Sequence, residues 1–293
     1  MLRKILFFFA FATTGAAFAG GPFDDPVWTP LSTLEVWGGY DGSKQPQDFG
    51  VNAHNGGRLH VNWAAPLWQD AGVGFQIGTA LTMTDHAVRV TDQIDGSSHR
   101  TQSHTTLGVF QRTDSGWSWG VAYDVLAQND YSSTVLTQVR GRVGKFVTDA
   151  DEVGVFANGP LRDDTATWAD VTVQLDPIAT GAVFWRHTWS RGPETTLWLG
   201  VSEGAGRANV ALGGPPPVGE RLLYGADIHV PLNDRVALFG EANFITPANA
   251  GTVDAYLGFA FYPGRRADRF RRQRFAPLMS VAGNPTFVVD GSR

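Results

Sequence analysis

The sequence predicts an all-β protein: a transmembrane antiparallel up-and-down β-barrel of about 12 strands (10–14), with a polar lumen. Three observations predict this fold. Apolar and polar residues alternate with a period of two, short and long connections alternate along the chain, and large aromatic residues gather near strand ends. A period of two gives each strand one apolar and one polar face, as a strand between lipid and a polar interior requires.

The alternation is clearest over residues 117–125, where Trp117, Trp119 and Val121 alternate with small or polar residues. Similar stretches are about as long as a tilted membrane strand, roughly 9–11 residues. They predict strands at 32–42, 56–66, 71–83, 101–113, 116–127, 133–147, 151–158, 179–191, 195–204, 220–231, 234–245 and 252–262.

The connections between these strands are sorted by length. Five are short, such as Asp114-Ser115 and Leu232-Asn233, and most of those between them are long, such as 84–100 and 159–178. Outer-membrane barrels have short periplasmic turns and longer outer loops. A soluble β-sandwich, the main alternative, gives no reason for this sorting.

Aromatic residues near the predicted short-turn ends indicate a membrane girdle, because amphipathic rings favour the headgroup region. The predicted girdle residues are Trp63, Trp117, Trp119, Trp185, Trp189, Phe259 and Phe261.

The amino terminus resembles an export signal. Arg3 and Lys4 precede an apolar run from Ile5 to Ala17, and Ala17-Phe18-Ala19 is a small-x-small cleavage pattern. The predicted organisation is a cleaved signal peptide (1–19), a periplasmic lead-in (20–31), a barrel (32–263) and a basic periplasmic tail (264–293).

Composition excludes several classes of protein. The chain has no cysteine, which excludes a disulfide scaffold and a thiolate zinc site. Its net charge is −5, and the basic residues concentrate in the last thirty positions, so nucleic acid is not expected as the main partner.

The segment Tyr256-Leu257-Gly258-Phe259-Ala260-Phe261-Tyr262 is similar to the last-strand signal of bacterial outer-membrane β-barrel proteins. With the strand pattern, the chain resembles the porin- or channel-like members of that class, without a characterised subfamily. The resemblance implies an outer-membrane location, contact with outer-membrane lipids and recognition by the barrel-assembly machinery.

The polar strand faces predict the residues that line the lumen. They are Glu35, Arg58, His60, Arg112, Asp124, Arg140, Arg142, Glu152, Arg186, Asp227, His229, Glu241 and Asp254. Two interpretations remain open. These groups form a salt-bridged core that fills the barrel, or they line a hydrated pore in which Arg140 and Arg142 contact anions.

No catalytic or cofactor site is predicted. The string Gly116-Trp117-Ser118-Trp119-Gly120 matches G-x-S-x-G, but strand alternation continues where a nucleophile elbow needs a helix. The acidic and histidine-containing connection 84–100 matches no metal-ligand spacing, so no metal is expected.

The basic tail is dense in arginine: Arg265, Arg266, Arg269, Arg271, Arg272 and Arg274. In the periplasm these residues could hold anionic lipid or an acidic cell-wall polymer, or they could form a solvated linker. The end segment, with Thr286–Val289, could add a strand or plug the lumen.

The sequence therefore favours a passive pore for small polar solutes or ions, and no enzyme. The alternatives are a non-conducting structural or surface-interaction barrel, and a soluble secreted β-protein that binds a ligand.

Overall fold

Twelve antiparallel strands close into a barrel in the computed structural model, which describes residues 22–24, 27–44, 53–86, 99–129, 132–168, 171–204, 219–246 and 252–290. The predicted fold class and strand number are confirmed. The predicted signal peptide, residues 1–19, lies outside the described residues.

The barrel strands agree with the predicted ones to within a few residues at each end. They are β1 (Glu35–Lys44), β2 (His54–Trp68), β3 (Val73–His86), β4 (His99–Arg112), β5 (Trp117–Asn129), β6 (Ser133–Phe146), β7 (Asp151–Arg162), β10 (Thr180–Thr188), β11 (Glu194–Ser202), β12 (Arg221–Pro231), β13 (Val236–Thr246) and β14 (Val253–Phe261).

Three further strands form a separate sheet. The hairpin β8 (Asp164–Trp168) and β9 (Val171–Pro177) occupies the connection predicted as a long loop, so β7 pairs directly with β10. The short strand β15 (Val289–Asp290) pairs antiparallel with β9. A single 3-10 turn spans Phe270–Arg272.

The seam of the barrel is the pairing of β14 with β1, which runs from Val36 opposite Phe261 to Lys44 opposite Val253. The five short connections lie at one end of the barrel, hereafter the short-turn end. Three of them use glycine at positive φ (Gly72, Gly116 and Gly192), a conformation that other residues rarely adopt.

The two faces of the barrel wall have opposite character. Outward-facing apolar side chains are exposed, for example Val183 at 59%, Leu199 at 56% and Phe259 at 57%. The inward face carries charged and amide side chains that are buried. A soluble barrel would have the reverse arrangement, so this wall suits an apolar surrounding. No helix among the described residues is long and apolar enough to cross a membrane.

The chain after the last barrel strand lies inside the barrel. We call residues 264–290 the inner segment. Most of it is buried, including Phe275, Leu278, Val281 and Phe287. The sequence suggested a basic tail outside the barrel with a segment that could plug the lumen. The structure corrects the external position, because this segment's own apolar side chains fill the interior.

The inner segment packs its apolar side chains against apolar side chains of the wall. Each of the four buried apolar clusters among the described residues contains at least one of its residues. Leu278 packs with Ala64 and Phe110, and Phe287 packs with Leu126 and Leu136. The interior is therefore filled jointly by apolar side chains of the inner segment and by apolar and polar side chains of the wall.

Candidate functional site: the barrel lumen

The structure places all thirteen predicted lumen residues on the inner face, buried or partly buried. They do not surround one open channel. They divide into residues that bind the inner segment and residues that pair with one another within the wall.

Three wall arginines donate hydrogen bonds to backbone carbonyls of the inner segment. Arg58 Nη2 donates to the carbonyls of Val281 (3.2 Å) and Ala282 (3.1 Å). Arg112 donates to the carbonyl oxygens of residues 274, 276 and 277, and Arg140 to that of residue 280 at 2.9 Å. Hydrogen bonds to charged groups are the stronger kind, about 1.5–3 kcal/mol each, so the arginines anchor an otherwise irregular backbone.

Wall amides complete this set. Gln76 accepts the N–H groups of Leu278 and Met279 at 3.0 Å and donates to the Met279 carbonyl at 2.9 Å. Other amide donors to segment carbonyls are Asn62, Gln138, Asn158 and Asn243. Asn158 was not expected in the lumen, because the sequence placed it at the end of a predicted strand. The buried backbone of the segment thereby finds the partners that an interior position requires.

Glu152 collects a second group of residues within the wall. Arg142 and Arg186 donate to its Oε2 at 3.1 and 3.0 Å, and Ser118 Oγ donates to Oε1 at 2.9 Å. The Arg142 guanidinium also lies 4.2 Å from the Phe184 ring centroid. In these contacts the positive charges of Arg142 and Arg186 are paired with the negative charge of Glu152 inside the barrel.

Asp124 joins the wall to the inner segment. It accepts two hydrogen bonds from Arg140, at 2.5 and 3.0 Å, and others from Thr106 and Gln138. Thr106 Oγ1 accepts the backbone N–H of Ala282 at 2.9 Å. Arg140 thus pairs with Asp124, whereas Arg142 pairs with Glu152.

Near the short-turn end, Arg271 of the inner segment lies between two carboxylates, Glu194 at 3.3 Å and Asp227 at 3.2 Å. Sequence reasoning assigned Glu194 to a turn and left Arg271 in an external tail, so this pairing was not predicted. His229, which follows Asp227 on the same face, instead contacts the Tyr262 hydroxyl at 2.9 Å.

A chain of side chains continues across the barrel seam. The Tyr262 hydroxyl donates to Glu35 Oε2 at 3.1 Å, and Glu35 Oε1 lies 3.1 Å from His60 Nε2. Glu241 accepts from the Tyr256 hydroxyl at 2.8 Å, and Asp254 is fully buried.

The remaining basic residues seal the short-turn end. Arg274 pairs with Asp114, Arg266 with Asp234 and Asp268, and Arg269 with Asp24. Arg265 and Arg272 donate to the carbonyls of Val27 and Asp149. The Arg266 side chain, by hydrogen bonding and by charge, holds the pKa of Asp268 below its usual value. The partners described for these arginines are thus other residues of the same chain.

The lead-in takes part in this closure. The N–H of Asp24 donates to the Arg272 carbonyl and its own carbonyl accepts the Arg274 N–H, both at 2.9 Å. Phe23 packs edge-on against Phe146, with ring centroids 5.3 Å apart. The barrel is therefore capped by two chain segments at the end where the inner segment enters.

A cavity of about 120 Å³ remains between the inner segment and the wall. Arg140, Arg142, Asp227 and Glu241 lie on its wall side and Ser280 on its segment side. A space of this size holds several water molecules.

The predicted girdle residues lie on the outer face. Trp117, Trp185, Trp189, Phe259 and Phe261 are exposed, and Trp63 and Trp119 are partly so. His187 contacts Asp151 at 2.8 Å beside Trp185, a polar pair near the short-turn end.

The G-x-S-x-G string does not form an exposed nucleophile turn, and most of the candidate metal connection lies outside the described residues. Ser118 is buried inside β5 and donates to Glu152, so it does not sit at an exposed turn. His99 pairs with Asp85, while residues 87–98 of that connection lie outside the described residues. Within the described ranges, no group of three or more acidic or histidine side chains could hold a metal ion.

Comparison with known proteins supports the fold. Residues 33–289 match the model of a family of unknown function, DUF6666. No curated protein matches the sequence. The match spans the barrel and nearly the whole inner segment, so both belong to the unit that the family model describes.

Solved structures of similar fold are membrane barrels of very different sequence. The COG4313 outer membrane channel from Pseudomonas putida F1 has a TM-score of 0.55 at 10% identity, covering 81% of this chain and 99% of that one. A structure from a study of in-meso crystallization of membrane proteins has a TM-score of 0.51 at 8% identity, covering 88% and 99%. The KdgM porin is also similar, with a TM-score of 0.42 at 10% identity, covering 77% and 98%. At such identities the likeness concerns the fold, and the resemblance to outer-membrane β-barrels inferred from the sequence is confirmed.

Proposed function

We propose a function from the geometry of the lumen, because this chain belongs to DUF6666, a family of unknown function. The chain acts as an outer-membrane barrel that its own inner segment holds closed, and it passes small polar solutes only when that segment leaves the lumen. It has no catalytic role in this proposal. The short-turn end faces the periplasm, as in other barrels of this architecture.

One observation carries the proposal: the wall and its filling differ in chemistry. The inward wall is rich in buried charged and amide side chains, as in a hydrophilic channel, while one continuous segment adds apolar side chains to every buried cluster, beside wall residues such as Trp37 and Leu126. A barrel built only as a solid support would be expected to fill its interior with wall side chains. The passive open pore of the sequence prediction is replaced here by a closed one.

The partners follow from the same proposal. Lipid contacts the exposed apolar band, and the assembly machinery recognises strand β14. Anionic lipid or a cell-wall polymer could reach Arg266 and Arg269, whose side chains are 63% and 61% exposed.

Planar-bilayer recording tests the closed state. We expect no discrete conductance from the full chain and stable channels from a variant that lacks residues 265–293. Because that deletion also removes the seal at the short-turn end, a second variant replaces residues 277–290 with a glycine-serine sequence of equal length. Heat-modifiable gel migration establishes that each variant is a folded barrel.

A disulfide control isolates movement of the segment. A Cβ atom at Gly78 would lie 2.5 Å from Val281 Cγ2, so Gly78→Cys with Val281→Cys joins the wall to the segment in a chain without other cysteines. Any openings of the full chain should disappear on oxidation and return on reduction. Porin-like conductance that survives the crosslink would refute the proposal.

The second candidate is a non-conducting barrel with a surface role. The separate sheet of β8, β9 and β15, at the end opposite the short turns, favours it. Folded deletion and glycine-serine variants that both fail to conduct would select this candidate.

A further inference from the structure

The inner segment crosses the barrel once, from the short-turn end to the opposite end. At its start, the N–H of Ala267 donates to the carbonyl of Asp234 in a short turn, at 2.8 Å. At its end, Val289 and Asp290 pair with Pro177 and Asp176 of β9. The N–H of Ile178 also donates to the Val288 carbonyl at 2.8 Å.

Contacts between these two points advance in one direction along the wall. Strand β2 approaches the short-turn end as its residue numbers rise, and its Asn62 contacts residue 279 while its Arg58 contacts residues 281 and 282. Strand β4 runs the same way. Its Arg112 contacts residues 274–277, and its Thr106, further from the short turns, contacts residue 282.

Strand β6 runs the same way and gives the same order. Its Arg140 contacts residue 280, and Gln138, two residues nearer the far end, contacts residue 286. The contacts on three separate strands therefore show that the inner segment crosses the barrel continuously. They exclude a loop that enters and returns at the same end.

The segment is long enough for a complete crossing. Its 26 peptide steps from residue 264 to residue 290 could reach about 85 Å if fully extended. The hydrocarbon core of a bilayer is about 30 Å thick. The spare length accommodates the turn at Phe270–Arg272 and the turn at Gly283–Thr286, where the Thr286 N–H donates to the Gly283 carbonyl at 2.9 Å.

From this path we infer that the barrel carries its own chain across the membrane and holds residues 289–290 at the end of the barrel on the cell-surface side. Strand β15 completes a sheet with β8 and β9 at that end. The inference rests on the orientation given under Proposed function, with the short turns in the periplasm.

The sheet of β8, β9 and β15 and the residues beneath it hold residues 287–290 in place. Besides the β9 pairing, Val288 packs with Ile178, Leu223 and Ile245. Phe287 and Val289 pack with Leu126 and Leu136 beneath the hairpin. The hairpin is itself tied to the barrel rim, since Asp164 Oδ2 accepts the Val135 N–H at 2.7 Å. The far end of the segment is thus fixed on the side of the long connections.

Single-cysteine labelling tests the inference, because the cysteine-free chain gives no background. Thr172→Cys on β9 and Asp149→Cys in a short turn mark the two ends of the barrel at exposed positions. Ser292→Cys marks the chain two residues beyond the last described one. Each full-length variant is expressed in a Gram-negative host, and intact cells are treated with a membrane-impermeant maleimide.

We expect Thr172→Cys and Ser292→Cys to be labelled in intact cells, and Asp149→Cys only after the outer membrane is permeabilised. Labelling of Thr172→Cys without Ser292→Cys in intact cells would overturn the inference and leave the proposed orientation standing. Labelling of Asp149→Cys without Thr172→Cys would show the reverse orientation, and the inference would fall with it. Bilayer conductance, which tests the closed barrel, is measured separately from these outcomes.

Discussion

Replacing Arg58 by methionine should loosen the middle of the inner segment, because this arginine is its anchor there. Arg58 is 3% exposed, donates to the carbonyls of residues 281 and 282, and lies 4.5 Å from the Tyr256 ring centroid. Methionine keeps much of the side-chain volume while it removes the donors and leaves two buried carbonyls without that partner.

The size of the effect follows from these two bonds. Each hydrogen bond from a charged donor contributes about 1.5–3 kcal/mol, and release of the desolvation cost of the buried guanidinium offsets part of the loss. A net loss of about 2–4 kcal/mol is expected for the local opening of the segment. At about 1.4 kcal/mol per factor of ten, that corresponds to a 30- to 700-fold increase in the open population.

Amide hydrogen exchange of a peptide covering residues 277–287 measures this population, because exchange there requires local opening. The matched control is Arg100→Met, which removes a buried arginine that donates to Ser43 of the wall at 2.5 Å. We expect Arg100→Met to leave exchange of the segment unchanged. Exchange in Arg58→Met within threefold of the native rate, or equal acceleration by both variants, would refute the anchoring role.

Three further predictions concern the same interior. Gly78→Ala places a methyl group 2.5 Å from a side chain of the inner segment and should destabilise the barrel by about 1–3 kcal/mol in urea unfolding, whereas Gly141→Ala, with nothing within 4 Å, should not. Phe287→Ala should lower the free energy of unfolding by about 3–5 kcal/mol in the same measurement, since the ring is fully buried. Phe259→Ala on the outer face should lower it less, and equal losses would contradict the interior position of Phe287. Hydrogen bonds from two backbone N–H groups lower the pKa of Asp164. Its contribution to the free energy of unfolding is therefore present above the unfolded-state pKa and is lost as the pH falls through the lower folded-state pKa. The urea midpoint of Asp164→Asn should therefore lie below that of the native chain at neutral pH and converge with it in acid. A difference in midpoint that persists unchanged in acid would contradict a stabilising role of the ionised Asp164 carboxylate.

The barrel wall could be predicted from the sequence because its signal is local. A strand with one lipid face and one polar face repeats every two residues, so the alternation around Trp117 and Trp119 was sufficient to place β5 within two residues at each end. The same alternation put Arg58, Asp124 and the other wall charges on the inner face.

The contents of the lumen could not be predicted in the same way. The inner segment has no regular period, and the wall side chains that bind its backbone lie from 42 to 224 residues away in sequence. In the sequence, its arginines resemble a solvated basic tail. Only the structure shows that turn carboxylates such as Asp114 and Asp234 lie at the same end of the barrel and pair with them. The hairpin of β8 and β9 was missed because its strands are short and build no core of their own.

The division of the apolar interior between wall and segment has a consequence for how the sequence can vary. In most domains the core is assembled from residues scattered along the whole chain, so its composition changes piecemeal. Here one contiguous stretch of about 27 residues takes part in every buried apolar cluster described, and wall side chains also donate hydrogen bonds to its main chain. Contacts to main-chain atoms do not depend on side-chain identity, so the segment's sequence is constrained mainly at the positions whose apolar side chains pack against the wall, such as Leu278 and Phe287.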